Sequence, residues 1–154
     1  MQALTLDNPL LTTYAIAAAL TVMKVIGQGW ITVAIMMRPH SGWAAPEDIS
    51  PGPLNPNPAP EQLAPHEGVE RARRIHRNDL ENIPAFWVAG FLFILTAPPL
   101  WLAQLALYGF VAARAGHFFA YATARSHELR ATFYAIGTLI TAAMALYVIV
   151  AALV

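Results

Sequence analysis

Cysteine is absent from the 154 residues. That excludes disulfides, thiolate metal sites and a protein thiol nucleophile, so any thiol chemistry must arrive on a ligand. No metal site is expected. Charge is scarce as well, at 12% of residues, where soluble domains carry about a quarter. So few charges cannot cover the surface of a water-soluble monomer. With 57% hydrophobic residues and a mean hydropathy of +0.49, the solvent for most of the chain is lipid. Neither sign of charge is in excess, nine Lys+Arg balancing nine Asp+Glu, which argues against a nucleic-acid partner. The start of the chain lacks a basic region, and no small-residue cleavage site follows the first apolar run, so no cleavable signal peptide is expected.

The charges that are present fall at a few places. Residues 82–113 and 131–154 contain none, and from Asn8 to Met37 the only one is Lys24. A helix needs about 20 apolar residues to cross a hydrocarbon core of about 30 Å. Residues 10–37 make one such span and 131–154 another. The stretch between is too long for one crossing and is cut by Pro98-Pro99, which yields two more. The expected fold is all-α: an integral membrane four-helix bundle in a single domain, with helices at about 10–37, 67–97, 100–124 and 129–153. No alternation of the kind seen in membrane barrels is present.

Residues 46–65 hold seven of the twelve prolines. Proline fixes φ and lacks an amide donor, so loop 38–66 reads as an extended, stiff connector. Arg38, Arg71, Arg73, Arg74 and Arg77 surround that loop, and Arg125 and Arg130 flank the third one. The positive-inside rule then places these loops in the cytoplasm and both termini on the other side.

Eight of the eighteen charges lie between Glu67 and Glu81. On a helix Glu70, Arg74, Arg77, Asn78 and Glu81 share one face, with Glu70–Arg74 and Arg77–Glu81 as i,i+4 ion pairs. A membrane anchor with surface ion pairs accounts for Arg73. It accounts less well for Asn78 and Glu81, which sit next to the apolar run, where polar groups need partners inside the bundle. Arg114, His117 and Tyr121 share a face of the third helix, and Arg130 and Tyr134 are one turn apart on the fourth. Arg114 is a candidate counter-ion for a carboxylate such as Glu81, and Arg130 is either a snorkelling anchor or a pocket residue. Lys24 is either a snorkeller or a bundle-facing partner. Together these groups predict a basic, hydrogen-bonding pocket near the cytoplasmic surface, suited to an anionic amphiphile bearing carboxylates. A guanidinium there would also favour the thiolate form of a bound thiol.

The run Glu70-Arg71-Ala72-Arg73-Arg74-Ile75-His76-Arg77-Asn78-Asp79-Leu80-Glu81, followed by Pro84 and Phe86, resembles the signature of the membrane-associated proteins in eicosanoid and glutathione metabolism (MAPEG). The resemblance covers residues 10–150. Through its His-Arg-Asn-Asp core it is similar to the prostaglandin E synthase branch, beside the microsomal glutathione transferases. Ala45-Pro46-Glu47-Asp48 also matches, as do Arg114 with His117 and Tyr121, and Arg130 with Tyr134.

The resemblance implies a homotrimer with glutathione sites between neighbouring subunits, and a lipophilic electrophile or lipid hydroperoxide arriving from the bilayer. It assigns Arg77, Asn78 and Glu81 to the charged ends and amides of glutathione. His117, Tyr121, Arg38 and Tyr134 line the same cavity. Arg130 stabilises the thiolate, Asp48 assists catalysis, and Arg74 and Arg114 support the site. The prostaglandin branch carries Ser directly after the thiolate-binding Arg, whereas this chain has Ala131. The function expected first is therefore a glutathione-dependent membrane transferase or peroxidase. Isomerisation of prostaglandin H-like endoperoxides ranks second, and a non-catalytic lipid-binding protein on the same scaffold third. An Ala/Pro-rich, cysteine-free chain suits a bacterial inner membrane, or the endoplasmic reticulum in a eukaryote.

Overall fold

The computed structural model describes residues 4–154. Four helices run α1 Pro9–Met37, α2 Glu67–Leu95, α3 Leu100–Ala122 and α4 His127–Leu153. They pack as one antiparallel-connected bundle in which α1, α2 and α3 touch one another and α4 lies against α2 and α3. No strand is formed among the described residues.

Each boundary has a local cause. Asn8 Oδ1 accepts from the Leu10 N–H at 3.0 Å, and Pro9 occupies the first helical position, where its missing donor costs nothing. At the far end of α2 the chain turns through Ala97 at φ +52°. Pro98-Pro99 then prevents the helix from continuing before α3 starts. Ala124 at φ +54° closes α3, and the Arg125 N–H reaches back to the Ala120 carbonyl at 2.8 Å. Ser126 caps α4 through its hydroxyl, which accepts from the Leu129 N–H at 3.4 Å, so α4 begins at His127.

The core is narrow. Ala17, Ile83, Phe86, Phe93, Ala103, Leu107, Phe110 and Met144 are buried together, with the Phe86 and Phe110 rings stacked at 3.9 Å between centroids. Small residues let backbones approach: Gly90 faces Leu107 and Tyr14, and Gly116 faces the Phe133 ring. Outside this core, large hydrophobics are exposed on all four helices, among them Trp30, Val88, Trp101 and Leu139. A soluble protein rarely shows so much contiguous apolar surface. In a bilayer it is the lipid-facing belt. Helices α1 and α4 are each long and apolar enough to cross a membrane. The charges crowded into the first half of α2 leave it a shorter apolar stretch.

The proline-rich loop is folded back rather than simply extended. It contains two 3-10 turns, Pro46–Asp48 and Pro60–Leu63, and a reciprocal amide pair between Asn55 and Gln62 at 2.7 and 3.0 Å. Prolines cannot donate, so these side-chain amides supply the bonds that the backbone lacks. The loop is tied to α2 at Gly42, whose carbonyl accepts from Arg73 Nη2 at 2.6 Å. Gly42 holds φ +78° with the Val69 side chain 3.1 Å from where a Cβ would stand, so only glycine fits there.

Candidate functional site

The polar residues of three helices meet in one linked set. Arg114 on α3 is 1% exposed and Asp79 on α2 fully buried. Arg114 Nη2 donates to Asp79 Oδ1 at 2.6 Å and to Asn78 Oδ1 at 2.7 Å. The same guanidinium lies 3.5 Å from His117 Nδ1, one turn along α3. The His117 and Tyr121 rings are 5.0 Å apart. Arg130 on α4 lays its guanidinium over the Tyr121 ring, 4.5 Å from the centroid, a favourable cation–π distance. On the α1 side Lys24 Nζ donates to Asp79 Oδ2.

The partners differ in part from those expected. Arg114 is neutralised by Asp79, not by Glu81, because Asp79 points into the bundle while Glu81 is exposed on the α4 side of α2. Lys24 is the bundle-facing partner. At the start of α2 the ion pairs are Glu70–Arg73 at 2.5 Å, Glu67–Arg74 at 2.9 Å and Glu67–Arg71 at 3.3 Å, in place of Glu70–Arg74. Arg73 wins because it also bonds Gly42 of the folded loop. Arg77 and Glu81 form no ion pair among the described residues; both are exposed.

An open groove of about 900 Å³ runs between α2 and α4. Glu81, Asn82, Tyr134 and Thr138 line its polar end, and Val88, Leu92, Ala145 and Ile149 its apolar end. Thr138 donates to Asn82 Oδ1 at 3.3 Å, and Asn82 donates to the Asn78 carbonyl at 2.8 Å. Arg130 sits one turn before Tyr134 on α4. Its Nε is buried without a hydrogen-bond partner, a donor left for something outside the chain.

Residues 14–150 match the MAPEG family. The chain is 34% identical over 140 residues to microsomal glutathione S-transferase 1 of Sus scrofa, covering 91% of this chain and 89% of that one. It is 28% identical over 146 residues to prostaglandin E synthase of Homo sapiens, covering 95% and 92%. The chain belongs to the MAPEG family. Membership makes it a membrane helical bundle, in accord with its apolar exterior.

In this MAPEG chain the residues singled out by sequence divide into two groups. Asn78, Arg114, His117, Tyr121 and Arg130 are joined directly, and Glu81 and Tyr134 face the adjoining groove. Arg38 at the end of α1, Asp48 in the loop and Arg77 on α2 are exposed. Their side chains make no hydrogen bond or ion pair among the described residues. The network also contains a pair that helix spacing does not predict, Asp79 with Lys24. The signal is one of depth: Lys24, alone in an apolar helix, stands level with Asp79 at the inner end of the charged half of α2.

Proposed function

We propose that this chain is a glutathione-dependent membrane enzyme that activates the glutathione thiol for attack on lipophilic electrophiles or hydroperoxides. The observation that carries the proposal is the convergence of Arg130, Tyr121, His117 and Asn78 beside a groove that changes from polar to apolar along its length. The fit to glutathione is chemical. The tripeptide presents two carboxylates, an amine, two amides and a thiol. The exposed Arg77 and Arg74 and the unpartnered Nε of Arg130 suit the anionic groups, and Glu81 suits the amine. When bound, glutathione supplies the sulfur nucleophile.

The protein's own residues then do the following. Arg130 places positive charge where the sulfur proton must leave, favouring the ionised form. Tyr121 fixes the Arg130 guanidinium over its ring. The Asp79–Arg114 pair holds Asn78 and the α2 backbone in place from behind. The apolar end of the α2–α4 groove admits the co-substrate's tail from the bilayer.

The isolation of Arg38 and Asp48 within their own chain supports a site completed by a second copy, in a homotrimer with its polar face toward the cytoplasm. A prostaglandin E synthase-like isomerisation is the second reading, favoured by the 28% identity to that human enzyme over most of both chains. It is weakened by Ala131.

The test is the ultraviolet difference spectrum of detergent-purified protein titrated with glutathione, wild type beside Arg130→Ala. A thiolate band in the wild type that Arg130→Ala lacks, with the variant still folded, is expected. Glutathione binding with no band in either protein overturns the activation step and leaves a lipid-binding protein. No binding at all overturns the glutathione reading.

A further inference from the structure

Away from the α2–α4 groove, a second hollow of about 370 Å³ lies between α1 and α3. Its size is within the range of about 300–1,000 Å³ typical of ligand pockets. Met23 and Phe119 on its rim are 67% and 63% exposed, so it opens sideways into the region of the lipid chains. Its lining is almost wholly apolar, with Lys24 and the buried Arg114 at its inner end.

Three helices bring charge to this level. Lys24 is 15 residues from the start of α1, Asp79 is 16 from the end of α2, and Arg114 is 14 from the start of α3. At about 1.5 Å per residue each lies about 21–24 Å from the same end of the bundle. That is inside a hydrocarbon core of about 30 Å, toward its loop 38–66 edge.

The charges that meet on the α1–α3 side do not balance, since Glu81, at the same depth, faces the α2–α4 groove instead. Lys24 and Arg114 share one carboxylate, Asp79. Among the described residues the other ionisable side chain in contact is His117, against Arg114, and it brings no carboxylate. Arg114 Nε and Nη1 are buried with no hydrogen-bond partner. Charged groups at this depth are expensive unless paired, and buried donors are rarely left unmade. The hollow therefore has one cation in excess at its inner end, unpartnered guanidinium N–H groups buried behind it, and an apolar channel to lipid.

We infer that the α1–α3 hollow binds an anionic single-chain amphiphile, a long-chain carboxylate with its head against Lys24 and Arg114 and its chain leaving past Phe118 and Phe119. A carboxylate sits directly on its chain and reaches this depth. The phosphate of a diacyl phospholipid stays in the headgroup layer. Lys24 Nζ also lies 5.6 Å from the Phe118 ring centroid, which draws the cation to the hollow's wall. Because Arg114 Nη2 bonds Asn78 as well, an occupant here touches the polar set of α2 through a single guanidinium.

The test is saturable binding of radiolabelled oleate to the full chain in phosphatidylcholine nanodiscs, with methyl oleate as the uncharged competitor. Two variants separate shape from charge. A Cβ added at Gly27, which lines the hollow, meets nothing within 4 Å, so Gly27→Phe fills the space without displacing the backbone. Lys24→Met removes the excess charge and leaves Asp79 and Arg114 as a balanced pair. Each variant is expected to weaken oleate binding at least tenfold with circular dichroism unchanged, and methyl oleate is expected not to compete. Undiminished binding in Gly27→Phe, equal competition by methyl oleate, or no saturable binding overturns the inference. Displacement of oleate by equimolar phosphatidylglycerol reassigns the hollow to a phospholipid headgroup and overturns it too.

Discussion

Asp79→Asn tests whether one carboxylate holds three helices together. Asp79 is fully buried and accepts from Arg114 at 2.6 Å and from Lys24 on the opposite oxygen. Removing one partner of a buried ion pair costs about 3–5 kcal/mol, because the charge left behind stays desolvated. Here two cations are left, so the upper end applies. At about 2–4 °C per kcal/mol for a chain of this size, the melting midpoint falls by roughly 10–20 °C. Lys24→Met behaves differently. It loses one charge-assisted bond, worth about 1.5–3 kcal/mol. It also removes a partly desolvated charge and adds apolar contact, so its net effect stays within about 1 kcal/mol. In the Asp79→Asn/Lys24→Met double variant only Arg114 remains uncompensated, and part of the loss is recovered. The assay is far-ultraviolet circular dichroism melting in neutral detergent on all three variants and the wild type. An Asp79→Asn midpoint within about 3 °C of wild type, or a double variant whose losses simply add, refutes the reasoning.

Gly116→Ala drives a methyl into the Phe133 ring, whose nearest atoms would lie 2.4–2.7 Å away. Overpacking of this kind costs about 1–3 kcal/mol, and the same melts read it, with Gly27→Ala in open space as a control that gains up to about 1 kcal/mol of helix propensity. Ala131→Ser adds a hydroxyl directly after Arg130, where the resemblance to the prostaglandin branch implies one. It is expected to raise endoperoxide isomerisation several-fold while leaving thiol conjugation within about twofold, as measured by product chromatography. With no native cysteine to remove, single cysteines at the exposed Glu47 and at Val154 report topology directly. A membrane-impermeant maleimide is expected to label position 47 from the cytoplasmic side and position 154 from the other; the reversed pattern refutes the positive-inside orientation, and labelling of both from one side refutes the four crossings.

Much of the bundle can be read from where charge is missing. Residues 82–113 and 131–154 carry none, and helix length fixes how such stretches divide. The interior pairings were harder to read, since each depends on depth as well as on spacing along one helix. Glu81 and Asp79 are two residues apart in α2, so they face about 200° apart around the helix. One is exposed on the groove and the other buried against α1 and α3. The i,i+4 rule sees only neighbours on a single helix. It therefore paired Glu70 with Arg74, while the folded loop drew Arg73 to Glu70 and left Arg74 to Glu67. Residues counted inward from the helix ends place Lys24, Asp79, Glu81 and Arg114 at one level, and of the two acids only Asp79 faces α1 and α3. Asp79 then becomes the acid that a membrane interior requires opposite two cations. By the same count Arg130 lies 23 residues from the end of α4, about 35 Å, beyond the core and at its polar edge. One buried arginine thus lies where charge must be neutralised within the chain. The other lies where a donor can be left for a ligand, and depth separates the structural guanidinium of Arg114 from the chemical one proposed for Arg130.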